Sequence, residues 1–194
     1  MSSATSGKAS LAAIARHVEA RKPGWRTEIV QGGLIVSPLR DGPHLEAVAE
    51  VMLVCATAGL HGGASRVIQG IGLCLPEEPE DYAVPDLSVV NADYREHLVR
   101  GNCYASDCFR LVADVVSDEL NSKADAYALA KIPVYVVVDR ENQALHVLTD
   151  PAEDGYAHHR VHAPGEIVTL PDSIGANVSL DVQRILKAGQ PSVS

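Results

Sequence analysis

Residues 108–138 restrict the fold more than any other stretch of the chain. A near-continuous apolar run spans 108–117, a segment of helical character covers 121–131, and Val134 to Val138 is apolar without interruption. A run lacking polar alternation is the pattern of a strand covered on both faces. A strand, a helix and a second strand within roughly 30 residues form a βαβ unit, which places a parallel pair at the centre of a sheet. The chain is therefore expected to be α/β, with a mixed sheet flanked by helices.

Other segments attach to that unit. Leu11, Ile14, Ala15 and Val18 have helical spacing within 8–22, and Pro23-Gly24 ends that helix. Two short apolar runs, 26–30 and 34–37, are split by Gly32-Gly33 and read as a hairpin. Residues 43–60 set Leu45, Val48, Met52 and Cys55 on one stripe and Glu46 and Glu50 on another, so a helix packing on a sheet is expected. Residues 66–74 read as one strand containing Gly70 and Gly72. The acidic, proline-rich loop 76–85 leads into a strand at Asp86. Beyond Asp139 a meander of strands (143–149, 156–163 and 166–170) precedes a short helix at 180–187. No composition break demands a second domain. The division expected is a flexible tail and N-terminal helix over 1–24 and a single domain over 25–190.

Composition narrows the function classes. With 46% hydrophobic residues in 194, the chain has enough apolar material for a sizeable core. Aromatic residues make up 4%, so that core rests on Val, Leu, Ile and Ala, and stacking platforms for nucleic acid are scarce. The net charge of −9 argues against binding duplex nucleic acid through the overall field, and any such contact must be local. Cys55, Cys74, Cys103 and Cys108 lack zinc spacing and read as free thiols. The Ser-rich start shows no secretory signal, and no stretch approaches membrane-spanning length, so a cytoplasmic protein without a membrane partner is expected.

Chemistry concentrates in Asp86 of Val-Pro-Asp-Leu-Ser-Val-Val, Asp114 of Leu-Val-Ala-Asp-Val-Val-Ser, and Lys123 at the start of a helix. Alternation puts Val112, Asp114 and Val116 on one face and Leu111, Ala113 and Val115 on the other. Both faces are otherwise apolar, and a carboxylate there needs a partner. Two acids from neighbouring strands can share one Mg²⁺ or Mn²⁺, and a nearby lysine can hold a water or stabilise developing negative charge. Competing readings stand beside this one. Asp86 alone fits a turn or cap, Asp114 an ion pair with an arginine, and Lys123 a solvated first-turn residue. His158, His159 and His162 do not share one strand face and read as solvated or cross-strand pairs rather than a metal site.

The ordered set resembles a known family. Glu-Ile-Val-Gln-Gly-Gly-Leu-Ile-Val-Ser-Pro (28–38), His44, Val-Pro-Asp-Leu-Ser-Val (84–89), Leu-Val-Ala-Asp-Val-Val-Ser (111–117), Lys123 with Tyr127, and Ile-Pro-Val-Tyr-Val-Val-Val-Asp (132–139) are similar to the Uma-type restriction endonucleases, bacterial members of the PD-(D/E)xK nuclease superfamily. The resemblance runs from about residue 25 to the end. It implies a restriction-endonuclease-like fold with an additional C-terminal β meander, and a metal-dependent endonuclease acting on nucleic acid, DNA foremost. Asp86 and Asp114 would be catalytic and metal-binding, Lys123 catalytic, and Glu28 and His44 auxiliary residues at the pocket edge. By analogy with the fold, a homodimer is a further expectation.

The chain departs from the family pattern at two places. Asp114 stands where the family usually has Glu, and Val116 stands where the superfamily lysine usually lies, moving that role to Lys123. The link from Ser117 to Lys123 is short, and Asp118 or Glu119 matches the family's additional acid only loosely. These departures, the acidic loop and the net charge favour the alternative of a catalytically degenerate nuclease fold used as a binding or assembly module.

Overall fold

The computed structural model describes residues 10–116 and 123–190. Helix α1 (Leu11–Arg21), capped by the Ser10 hydroxyl, leads into the hairpin of β1 (Arg26–Val30) and β2 (Gly33–Ser37). Helix α2 (Gly42–Cys55) follows and continues through a wider turn to Leu60. The chain then forms β3 (Ser65–Gln69), β4 (Gly72–Cys74), β5 (Tyr82–Ala83), β6 (Leu87–Asn91), β7 (Leu98–Arg100), β8 (Cys103–Tyr104) and β9 (Phe109–Val116). The expected βαβ unit is closed by α3 (Ala124–Leu129) and β10 (Val134–Asp139). The remaining elements are β11 (Ala144–Ala152), β12 (Gly155–His162), β13 (Ile167–Thr169), β14 (Ser179–Asp181) and α4 (Val182–Ala188).

Two mixed sheets organise these strands, in the orders β2-β1-β5-β4-β8-β7 and β12-β11-β10-β9-β6-β3. β9 and β10 are parallel, with Val137 opposite Asp114, and every residue of β10 is buried. One face of the second sheet packs Leu111, Ala113, Val115 and Val136 against α2, α4 and the β13–β14 hairpin. The opposite face sets Val112, Tyr135 and Val137 against α3 and the first sheet. The alternation read along β9 therefore holds, and Asp114 lies on the side facing α3 and the first sheet.

Three expectations are corrected in detail. The stretch 66–74 is two strands in different sheets, because the chain turns at Gly70 (φ 65°) before β4 joins the first sheet. There a Cβ on Gly72 would collide with Cys103 Sγ and crowd Asn102 O at 3.0 Å, so the close β4–β8 approach requires glycine. Of the three meander strands, β11 and β12 pair in the second sheet, but β13 leaves it to pair with β14. The buried stripe of α2 is His44, Ala47, Val48, Val51 and Cys55, and Leu45 is exposed. The helix is turned from the expected stripe, with His44 rather than Leu45 facing inward.

The stretch Gly42–Leu60 spans 19 residues at a mean hydropathy of 1.3, long and apolar enough by those measures to cross a bilayer, contrary to the reading of the sequence. Here its inward face packs on the second sheet as a core helix. Asp41 caps it by accepting from His44 N at 2.8 Å, and Arg140 grips the same carboxylate bidentately, 3.0 Å to each oxygen. Arg140 also donates to Gly189 O at 2.7 Å, tying the start of α2 to the ends of β10 and α4. All four cysteines are free.

Candidate active site

The register of β6 on β9 pairs Leu87 with Ala113, which sets Asp86 and Asp114 at adjoining positions of the two strands. Asp86 N donates to Asp114 Oδ1 at 3.3 Å, and Val115 N donates to Asp86 Oδ2 at 2.9 Å. The two acids, 8% and 2% exposed, are held by each other's strands. From β1 come Arg26 and Glu28, two apart and so on one strand face. The capped start of α2 supplies His44, and the residue preceding α3 supplies Lys123.

Lys123 Nζ lies 2.7 Å from Glu28 Oε1 and 3.4 Å from Asp114 Oδ1, joining two buried carboxylates. Val84 N also donates to Glu28 Oε1, at 2.7 Å, just ahead of the Pro-Asp dipeptide. Asp114 Oδ2 accepts from the Tyr127 and Tyr135 hydroxyls, each at 3.3 Å. Asp86 Oδ1 receives Arg26 Nη1 at 2.8 Å and faces Arg40 Nη2 at 3.4 Å. His44 Nε2 sits 3.0 Å from Asp86 Oδ2, too poorly directed to complete a hydrogen bond.

These contacts set the protonation states. Burial alone would raise the Asp86 carboxyl, but the close His44 ring, the Arg26 charge and the Val115 N–H together hold it below the ordinary value. Burial likewise works against the Lys123 ammonium, and Asp114 and Glu28 overcome it, leaving its pKa above the ordinary value. Burial, followed by the Asp114 charge, pushes the Tyr127 and Tyr135 hydroxyls well above their usual range, so both remain donors.

All five residues singled out in the sequence therefore converge. The alternatives weighed for Asp86 and Lys123 as isolated turn or solvated residues do not describe this arrangement. Asp114 has a cationic partner, which is Lys123 rather than an arginine. Three residues escaped the sequence reading. Arg26 carried a usable signal, since it precedes Glu28 by two in a strand. Tyr135 did too, lying on the Asp114 face of the next strand. Arg40 follows the hairpin in a loop and left no periodic signature. Asp118 and Glu119 lie outside the described residues.

The donor chemistry suits a hard divalent cation: Asp86 and Asp114 present carboxylate oxygens from adjoining strands. Beside them the buried Arg26 Nε and His44 Nε2 approach Glu28 Oε2 at 3.7 Å and Asp86 Oδ2 at 3.0 Å without completing a hydrogen bond. Arg26, Arg40 and Lys123 now balance Glu28, Asp86 and Asp114. Among the described residues, the one trio of His, Cys and acid groups with ligand atoms within 4.8 Å of one another is His97, Asp107 and Cys108, outside this cluster. In that trio His97 already contacts Asp107 at 2.9 Å, and burial pushes the Cys108 thiol up to about 12. The histidines of the meander form cross-strand and local pairs: His146 with His159 at 2.9 Å, His158 with Asp150 at 2.8 Å and His162 with Glu166 at 2.8 Å.

The mixed α/β build, two mixed sheets flanked by helices, is a nuclease-like fold. It is shared with the crystal structure of a putative nuclease belonging to DUF820 from Anabaena variabilis ATCC 29413, at a TM-score of 0.68 and 16% identity over 94% of this chain and 100% of that one. Residues 13–183 match the family model Uma2, putative restriction endonuclease, and the chain belongs to that family. No curated protein matches it.

Proposed function

We propose that the chain is a metal-dependent endonuclease hydrolysing phosphodiester bonds of nucleic acid, with DNA the expected substrate. The observation that carries this reading is the meeting of Glu28, Asp86, Asp114 and Lys123 in one buried cluster built from β1, the start of β6, β9 and the start of α3. Asp86 and Asp114 are the residues to hold Mg²⁺ or Mn²⁺. When bound, such an ion neutralises charge on the phosphoryl oxygens and acidifies a water. Lys123, steadied by Glu28, orients the attacking water or stabilises charge developing on the phosphorus oxygens. The two tyrosine hydroxyls fix the Asp114 carboxylate so that its other oxygen faces Lys123. Arg26 Nη1 and Val115 N do the same for Asp86.

Arg26 and Arg40 already neutralise Asp86, so a cation held there would have to share or displace their charge. The same observation favours a second reading, a degenerate nuclease fold whose acids are neutralised internally and serve structure. Asp86→Asn separates the two. It keeps an acceptor for Arg26 and removes the charge a cation requires. Metal-stimulated cleavage of a labelled oligonucleotide is expected to fall by at least about 10²-fold, with the circular dichroism spectrum unchanged. Cleavage at the parent rate by this variant removes the catalytic assignment.

A further inference from the structure

We infer that the groove between α1 and the first sheet receives unpaired nucleotides of the substrate, so that the chain engages single-stranded in preference to duplex nucleic acid. This rests on the nuclease reading and names its substrate class. The cavity measures about 810 Å³, ample for a nucleotide or two, and shares Arg26 with the acid cluster. Its lining combines Arg16, Arg26 and Arg100 with Trp25, Tyr82 and Asn102.

This is the chemistry a single strand asks for, cations along a groove with rings on which bases stack. Aromatic residues are only 4% of the chain and Trp25 is the sole tryptophan, yet Trp25 and Tyr82 line this one cavity. Lys22 Nζ lies over the Trp25 ring, 4.0 Å from its centroid, so a cation covers one face of the indole and a base stacks on the other. The Tyr82 hydroxyl is 2.8 Å from Thr27 Oγ1, and the Thr27 hydroxyl in turn donates to Glu19, which orients the Tyr82 ring and engages one of the groove's two glutamates.

The charge distribution points the same way. Duplex recognition needs many phosphate contacts, and a chain of net charge −9 with no basic run does not provide them. A few nucleotides held locally by three arginines and two rings need no favourable overall field.

The sole tryptophan makes the test direct. Full-length protein in chelator, so that nothing is cleaved, is titrated with a ten-nucleotide oligothymidine and with a blunt duplex of equal length. The single strand is expected to quench Trp25 emission saturably at concentrations where the duplex leaves it unchanged, and added salt should weaken the effect. By anisotropy of a labelled strand, Trp25→Ala and, separately, Arg16→Ala should raise Kd at least about fivefold. Arg16 is exposed on α1, so its replacement keeps the test valid should Trp25→Ala fold poorly. Equal or tighter duplex binding, or no quenching by either ligand, overturns the proposal. Quenching by a protein that never cleaves supports the groove and rejects the nuclease. Metal-stimulated cleavage of duplex without single-strand quenching does the reverse.

Discussion

Lys123→Met should cost about 3–5 kcal/mol of stability, the usual consequence of leaving buried charges without their partner. Its ammonium is shared by Glu28, 1% exposed, and Asp114, 2% exposed, so a single substitution strands two carboxylates. At roughly 2–4 °C per kcal/mol for a chain of this size, the melting temperature is expected to drop by at least about 6 °C. Methionine preserves the length of the stem, so the loss reports charge rather than a cavity. Activity should fall further than stability accounts for. Metal-stimulated cleavage measured well below the variant's melting temperature should be down by about 10²–10³-fold, the scale for removing one preorganised donor. A variant that melts with the parent would show that Lys123 does not hold the two acids.

Arg26→Met should show the second-largest effect, and its dependence on pH and metal makes it distinctive. Arg26 contacts Asp86 at 2.8 Å and approaches Glu28 at 3.7 Å while remaining 19% exposed, so about 3 kcal/mol, the lower end for a buried pair, is expected. The Asp86 carboxyl is held below its ordinary value in the fold, against its burial, by His44, Arg26 and the Val115 N–H. That stabilisation is therefore complete above the unfolded carboxyl pKa, near 3.9, and disappears as pH falls through the lower folded value. The gap in melting temperature between parent and variant should be full at pH 7, begin to narrow below about pH 4 and vanish once the folded Asp86 is protonated. A divalent cation can replace the missing charge, so Mg²⁺ or Mn²⁺ should raise the melting temperature of Arg26→Met more than that of the parent. A gap independent of pH and insensitive to metal would place the Arg26 contribution in packing alone.

Much of this architecture could be read from local pattern. The uninterrupted apolar run at Val134 to Val138 and the helix before it specified the parallel β9–β10 pair, because burial on both faces leaves no other composition. Gly32-Gly33 signalled the β1–β2 hairpin, whose two turn residues are Gln31 and Gly32, both at positive φ, with Gly33 already in β2. Pattern failed where tertiary contacts decide. Gly70 in a left-handed conformation sends one apolar run into two sheets, a choice that depends on the backbone approach at Gly72. The facing of α2 depended on its first turn, where Asp41 is clamped by Arg140 from the far side of the chain, turning His44 inward. Leu45 and Leu53 are exposed in the fold, so apolar residues lie on more than one side of that helix and its periodicity did not single out the inward face.

The candidate site divides in the same way. Its acids and lysine were visible because charge inside apolar strands is costly and therefore informative. The cations that neutralise Asp86 were not, because Arg26 and Arg40 lie on and beyond a hairpin whose docking position no local pattern reveals. The internal charge balance that follows from them sharpens the question of ion binding.

Calorimetric titration of Mn²⁺ into the parent chain and into Asp114→Asn at neutral pH, paired with thermal melts, addresses that question most directly. Saturable heat and a raised melting temperature in the parent, both weakened by the substitution, are the outcome expected if Asp86 and Asp114 share a cation. A parent chain that gives neither heat nor a thermal shift would contradict metal-dependent cleavage and leave the acids, with Arg26, Arg40 and Lys123, as a structural charge network.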